Sequence, residues 1–190
     1  MPVIKHGSQR VGVFIDTQNL YHSAKNLYNA RVNFNTILQD IVGGRQLIRA
    51  RAYVVTTEAG DEKNFFEALH KMGIEVKTKD LQIFLGGAKK ADWDVGLAVD
   101  AISMAPKLDA VIVVSGDGDF IPLVEYLQTN MGCQVEVVSF GKSSSSRLKE
   151  AADDFIDLDA NFKRYLIKSG GNGRNRKKSG SKPESAPAID

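Results

Sequence analysis

VGVFIDTQN (Val11 to Asn19) is an apolar strand that runs straight into a carboxylate, Asp16. AVIVVSGDGD (Ala110 to Asp119) repeats the arrangement later in the chain, ending at Asp117-Gly118-Asp119. Short continuous apolar runs bounded by polar residues read as strands buried on both faces of a sheet. A buried strand that ends in an acid, not in an ordinary turn, carries negative charge to the carboxyl edge of an open α/β sheet, where ligands bind in such folds. Acids held close together repel one another unless a cation or a proton separates them. The pair therefore points to a divalent-metal site, and such sites lead towards phosphate chemistry.

Working outward, strand-like and helix-like segments alternate. Helical spacing marks Leu20 to Tyr28 and Phe34 to Val42, the second stopped by Gly43-Gly44. Leu47 to Thr57 reads as a strand, Asp61 to Met72 as a helix closed by Gly73, and Ile74 to Lys79 as a strand. Leu81 to Leu85 offers a further strand before Gly86-Gly87 breaks the chain. A helix then runs from about Asp92 to Met104, with Val95, Val99 and Ile102 on one face, and Pro106 ends it. Ala110 to Ser115 (strand), Phe120 to Asn130 (helix) and Gln134 to Phe140 (strand) follow. The Ser143 to Ser146 run caps a short helix to Ala152, Phe155 to Leu158 adds an edge strand, and a last helix lies near Asn161 to Leu166. This order implies right-handed crossovers and a mostly parallel sheet with helices on both faces.

Composition sets the bounds. A chain of 190 residues, 43% hydrophobic and 25% charged, suits one domain with a single core. The formal net charge of +2 is unevenly spread. From Lys168 onward, Lys168, Arg174, Arg176, Lys177, Lys178 and Lys182 face only Glu184 and Asp190, so the tail carries +4 and the body −2. That tail has almost nothing apolar and is expected to be disordered. The expected division is an N-terminal extension (1–10), a folded body (11–167) and a basic tail (168–190). Cys133 is the only cysteine, which excludes an intramolecular disulfide framework and a cysteine-based zinc cluster. No apolar run reaches about 18 residues and no signal peptide opens the chain, so the expectation is a soluble, cytoplasmic protein without a membrane partner.

The acids come from three places: Asp16 with Asn19, the group Asp92/Asp94/Asp100, and Asp117/Asp119. Carboxylate, amide and hydroxyl oxygens suit a hard ion such as magnesium or manganese. Any one of these aspartates is more commonly a helix cap or turn residue; their convergence from two strand ends favours function. At roughly 100° per residue, Asp92 and Asp94 lie about 160° apart around a helix axis and cannot both face one ion. Asp94 and Asp100 lie about 120° apart and about 9 Å along the axis, so spacing alone leaves the helical ligand open.

Taken together, Asp16-Thr17-Gln18-Asn19-Leu20, the run Lys90 to Asp100 (KADWDVGLAVD), and Ser115-Gly116-Asp117-Gly118-Asp119-Phe120 resemble the NYN domain, the LabA-like branch of the PIN-like nucleases. The resemblance spans about Val11 to Leu158 and keeps motif order and spacing. It implies a PIN-like three-layer α/β/α sandwich and a ribonuclease site dependent on magnesium or manganese. On that pattern Asp16, Asp94 and Asp117 are the acidic ligands with Asp119 close by, Asn19 and Ser115 assist, and Asp100, with Asp92, is an additional or supporting acid. A divalent ion lowers the pKa of water and offsets charge building on a phosphoryl group, which suits phosphodiester hydrolysis.

Substrate contacts are expected from Lys89 and Lys90 ahead of Asp94, from Tyr21 and Trp93 as stacking rings, and from Arg174, Arg176, Lys177 and Lys178 in the tail. Trp93 reads equally as a packing residue. His6, His22 and His70 read as surface or packing residues, not as a base. The expected partner is an RNA substrate, with self-association left open. The competing function is a non-catalytic RNA-binding or regulatory module that retains the nuclease fold. A dehalogenase-type phosphohydrolase would require Asp-x-Asp after the first strand, whereas Asp16 is followed by Thr17-Gln18.

Overall fold

The strand that carries the first acid, β1 (Arg10–Asp16), lies inside the sheet, and its alternation builds both halves of the core. Val11, Val13 and Ile15 bury on one face and Phe14 on the other, as strand periodicity requires. The computed structural model describes residues 3–56, 62–80, 82–83, 89–90 and 93–168. After β1 come α1 (Thr17–Tyr28), β2 (Ala30–Val32), α2 (Phe34–Val42), β3 (Gln46–Thr56), α3 (Lys63–Lys71) and β4 (Ile74–Asp80). The pair β5 (Gln82–Ile83) and β6 (Lys89–Lys90) precedes α4 (Asp94–Met104) and β7 (Ala110–Val114). Then follow α5 (Ile121–Thr129), β8 (Gln134–Ser139), α6 (Ser146–Ala151), β9 (Asp154–Asp157), α7 (Phe162–Tyr165) and β10 (Leu166–Lys168).

The main sheet has six strands in the order β4-β3-β1-β7-β8-β9, every pairing parallel. The chain first builds outward from β1 through β3 to β4, then returns to β7 on the other side of β1 and continues to β8 and β9. Right-handed crossovers in opposite directions place helices on opposite faces. Accordingly Leu20, Ile37, Ile41 and Leu69 from α1, α2 and α3 pack on one side, and Leu97, Val124, Leu127 and Leu148 from α4, α5 and α6 on the other. This is the three-layer α/β/α arrangement expected from the motifs. The order reverses between β1 and β7, and ligands in open α/β sheets bind at the carboxyl end of such a switch point.

Several boundaries differ from the sequence expectations. α1 starts at Thr17, not Leu20, because Asp16 ends the strand and caps the helix without a linker. The expected last helix is a 3-10 turn and four residues of α7; Leu166 instead opens β10, which pairs antiparallel with β2, a strand the apolar pattern did not mark because it is so short. On α4 the face that carries Val95 and Val99 points outward: Leu97 and Ala101 are buried, while Val95 and Val99 are 74% and 56% exposed. α4 is apolar nearly all round, so periodicity gave no unique face; Asp100, tied to β3, turns Val95 and Val99 outward. The tail beyond Lys168, Asp92 and the Gly86-Gly87 break lie outside the described residues. No helix among the described residues is long and apolar enough to cross a membrane.

At the opposite, amino edge of the sheet, charge is paired. Buried Arg45 meets buried Glu136 at 2.5 and 3.1 Å and donates to the carbonyls of Ile41 and Val42 at 2.6 and 3.0 Å, closing the end of α2. Lys5 reaches Glu136 at 2.9 Å and Asp154 at 2.7 Å, tying the first described residues to β8 and β9. Breaking one side of such a buried pair costs about 3–5 kcal/mol.

Candidate metal centre

Asp16 is the last residue of β1 and the N-cap of α1. Its Oδ1 accepts the N–H of Asn19 at 3.1 Å, and its Oδ2 accepts the hydroxyl of Ser115 at 3.0 Å. Ser115 Oγ in turn accepts the N–H of Asp117 at 3.2 Å, and Asn19 Oδ1 accepts the N–H of Gly116 at 2.9 Å. These bonds sew the end of β1 to the end of β7. Burial pushes the Asp16 carboxyl above its ordinary range; the bonds from Asn19 and Ser115 oppose that, and nearby Asp117 adds to it. Asp117 caps the following 3-10 turn, its Oδ1 accepting the N–H of Asp119 at 3.0 Å. The capping role and the clustering of acids therefore coexist on the same side chains.

The third acid arrives on α4. Trp93 precedes the first turn, and its indole N–H donates to the carbonyl of Val54 at 3.2 Å. Its ring meets Tyr53 edge-on at 5.9 Å and lies under the ammonium of Lys79 at 5.7 Å. Gly96 makes this packing feasible, since a Cβ there would lie 2.3 Å from Trp93 Cε3. Asp94 thus enters beside the end of β7. One carboxylate oxygen from each of Asp94, Asp117 and Asp119 lies within 4.8 Å of the others. Opposite oxygens around an ion with bonds of about 2.0–2.6 Å stand roughly 4–5 Å apart, so this all-oxygen set fits one hard divalent cation.

Asp16, Asp94 and Asp117 line one cleft of about 340 Å³ with Gln18, Asn19 and His22. Ser143 also lines it, its hydroxyl 2.8 Å from that of Ser23. Gly116 lets this loop approach: a Cβ there would lie 2.6 Å from Ser144 Oγ and 2.8 Å from the buried Ser139 Oγ. Close backbone approach at the Asp-Gly-Asp turn is therefore used by the protein's own serine loop. His22, read from sequence as a surface or packing residue, lines the cleft. Starting the helix at Thr17 puts Asn19 on the same face as His22, Ser23 and Asn26, the link to the site that a start at Leu20 leaves out.

Other expected residues are dispersed. Asp100 accepts from the Tyr53 hydroxyl at 2.8 Å and pairs with Arg51 at 3.2 Å, tying α4 to β3 rather than joining the cluster. Trp93 is committed to packing. Tyr21 is 53% exposed and meets His22 edge-on at 5.5 Å. Lys89 and Lys90, expected as substrate contacts, form the short strand β6. Arg174, Arg176, Lys177 and Lys178, like Asp92, lie outside the described residues.

A model of the NYN domain matches residues 10–159. The Low amplitude and bright protein LabA of Synechococcus elongatus is 26% identical over 160 residues, covering 78% of this chain and 83% of that protein. The crystal structure of a protein of unknown function from Vibrio parahaemolyticus superposes with a TM-score of 0.78 at 30% identity, covering 87% of this chain and all of that one.

Proposed function

This chain belongs to the NYN domain family, and from that premise we propose that it is a divalent-metal-dependent ribonuclease that hydrolyses RNA phosphodiester bonds. The observation that carries the proposal is the convergence of acids from β1, α4 and β7 on one cleft at the switch point of the sheet. Asp94, Asp117 and Asp119 would hold magnesium or manganese, with Asp16 as a further ligand or water-holding carboxylate beside them. When bound, the ion supplies a Lewis acid that lowers the pKa of water and offsets charge on the phosphoryl oxygens. Ser115 and Asn19 keep Asp16 and the turn at Asp117 in fixed orientation, so the acids need no rearrangement when substrate arrives. Lys89 and Lys90, just upstream of Asp94, contact the phosphate backbone in this reading. Arg174, Arg176, Lys177 and Lys178 in the 168–190 tail add attraction that does not depend on sequence.

The test is incubation of purified protein with end-labelled RNA in manganese or in chelator, beside Asp16→Asn and Asp117→Asn. Cleavage that requires manganese and disappears in both variants supports the assignment. Equal cleavage by wild type and variants would trace the activity to a contaminant. Tight binding of RNA without cleavage would favour the non-catalytic module.

A further inference from the structure

A second, larger cavity of about 930 Å³ opens on the other side of α1, between that helix and α3. Its volume falls near the upper end of sites that enclose small organic ligands. Gln18 and His22 line both this cavity and the acidic cleft, so the two adjoin along one turn of α1. The groove is unlike the cleft in character. Phe34, Phe65, Val54, Val55 and Met72 give it apolar walls. At the rim stand exposed Tyr21, exposed Asn64 and exposed Arg31, and Arg31 makes no ion pair among the described residues. Glu62 also lies on the rim.

We infer that this groove takes unpaired nucleobases of the strand whose phosphate lies at the acids; the inference rests on the ribonuclease reading and adds to it a base-binding surface between α1 and α3. A base has flat apolar faces and a polar edge, which suits apolar walls under a rim of amide, phenol and guanidinium groups. A strand leaving the acidic cleft past Gln18 and His22 enters the groove directly. Arg31, exposed in the lining, then offers the cation that a neighbouring phosphate requires. A duplex keeps its bases stacked and paired, and cannot insert them.

The test compares an eight-nucleotide fluorescent oligouridylate with an abasic oligomer of equal length and charge, by anisotropy in chelator, where metal-dependent turnover is blocked. Wild type is expected to bind the base-bearing oligomer about tenfold more tightly than the abasic one, the range that base–aromatic stacking supplies. Tyr21→Ala removes a rim ring that is already exposed, and Ala68→Trp fills the groove from α3. Each should bring the ratio down to about twofold or less, with manganese affinity at the acids unchanged. Equal binding of the two oligomers by wild type, or a ratio that survives in a folded Tyr21→Ala variant, would overturn the inference. So would a change of oligomeric state in Ala68→Trp with RNA binding untouched, which would give the groove to a protein partner. Manganese-dependent cleavage is scored separately: cleavage with base-independent binding removes the groove and leaves the ribonuclease, whereas base-dependent binding without cleavage does the reverse.

Discussion

Asp16 holds a negative charge where the surroundings oppose it. It is half-buried, desolvated and close to Asp117, and no ion pair relieves it among the described residues. Its neighbours offer hydrogen bonds instead, and an Asn at this position would keep the helix cap, since Asn and Asp cap equally well. Asp16→Asn is therefore expected to raise the melting temperature in chelator by about 2–4 °C, the shift that ~1 kcal/mol gives in a chain of this size. Added manganese should stabilise the wild type more than the variant; a thermal scan in both conditions checks this, and a lower melting temperature in chelator would show that the cap or the Ser115 bond outweighs the charge. The two strand-end acids were legible in the sequence because each follows directly on a buried apolar run, and their capping bonds are compatible with a place in the cleft. His22 and Ser143 were not: a helix begun at Leu20 leaves out Asn19, whose face His22 shares, and Ser143 comes from a loop that only the packing at Gly116 brings near.

α4 shows how an element can be recognised while its orientation is not. Its existence and its end before Pro106 follow from local chemistry, but with apolar residues on nearly every side its buried face is decided by the Trp93–Gly96 contact and by Asp100 reaching Tyr53 and Arg51. In an ordinary helix Gly→Ala gains up to about 1 kcal/mol. At Gly96 the new methyl would collide with the indole, and overpacking of this kind costs about 1–3 kcal/mol. Gly96→Ala is expected to lower the urea midpoint and to weaken manganese binding through displacement of Asp94; a higher midpoint would remove the proposed lock. A second element-scale prediction concerns the amino edge of β1. Asp109 Oδ2 accepts the backbone N–H of Arg10 at 2.7 Å and its Oδ1 meets the guanidinium at 2.7 Å, bonds that hold the Asp109 carboxyl at about 2. Because the folded-state pKa lies below the unfolded value of about 3.9, the contribution is complete above that value and fades as pH falls towards about 2. The stability advantage of wild type over Asp109→Asn should thus be constant near neutrality and vanish across that acid window. An advantage that persists at pH 2 would contradict it.

The molecule as a whole divides its charges between the two edges of one sheet. Arg45–Glu136 and Arg10–Asp109 lock the amino edge, while the carboxyl edge gathers acids that a cation would reconcile. The parallel α/β/α plan could be read from alternation alone, because each crossover needs a helix and each buried strand an apolar run. The β2–β10 ladder could not, since three-residue strands leave no periodicity. Beyond the sheet, the basic tail carries +4 against an acidic body. Deletion of residues 169–190 is expected to weaken RNA binding and to flatten its dependence on salt, the log–log slope falling by up to about 3 if Arg174, Arg176, Lys177 and Lys178 each neutralise one phosphate of a single strand. Cleavage at saturating RNA should persist, and its loss would place the tail in the chemistry. The central claim, that acids from separate elements form one cation site, is tested most directly by anomalous diffraction from crystals soaked in manganese. The account predicts a manganese peak coordinated by Asp94, Asp117 and Asp119 in the cleft beside Asp16. A cleft without a peak at millimolar manganese, or a peak held by other residues, would contradict it.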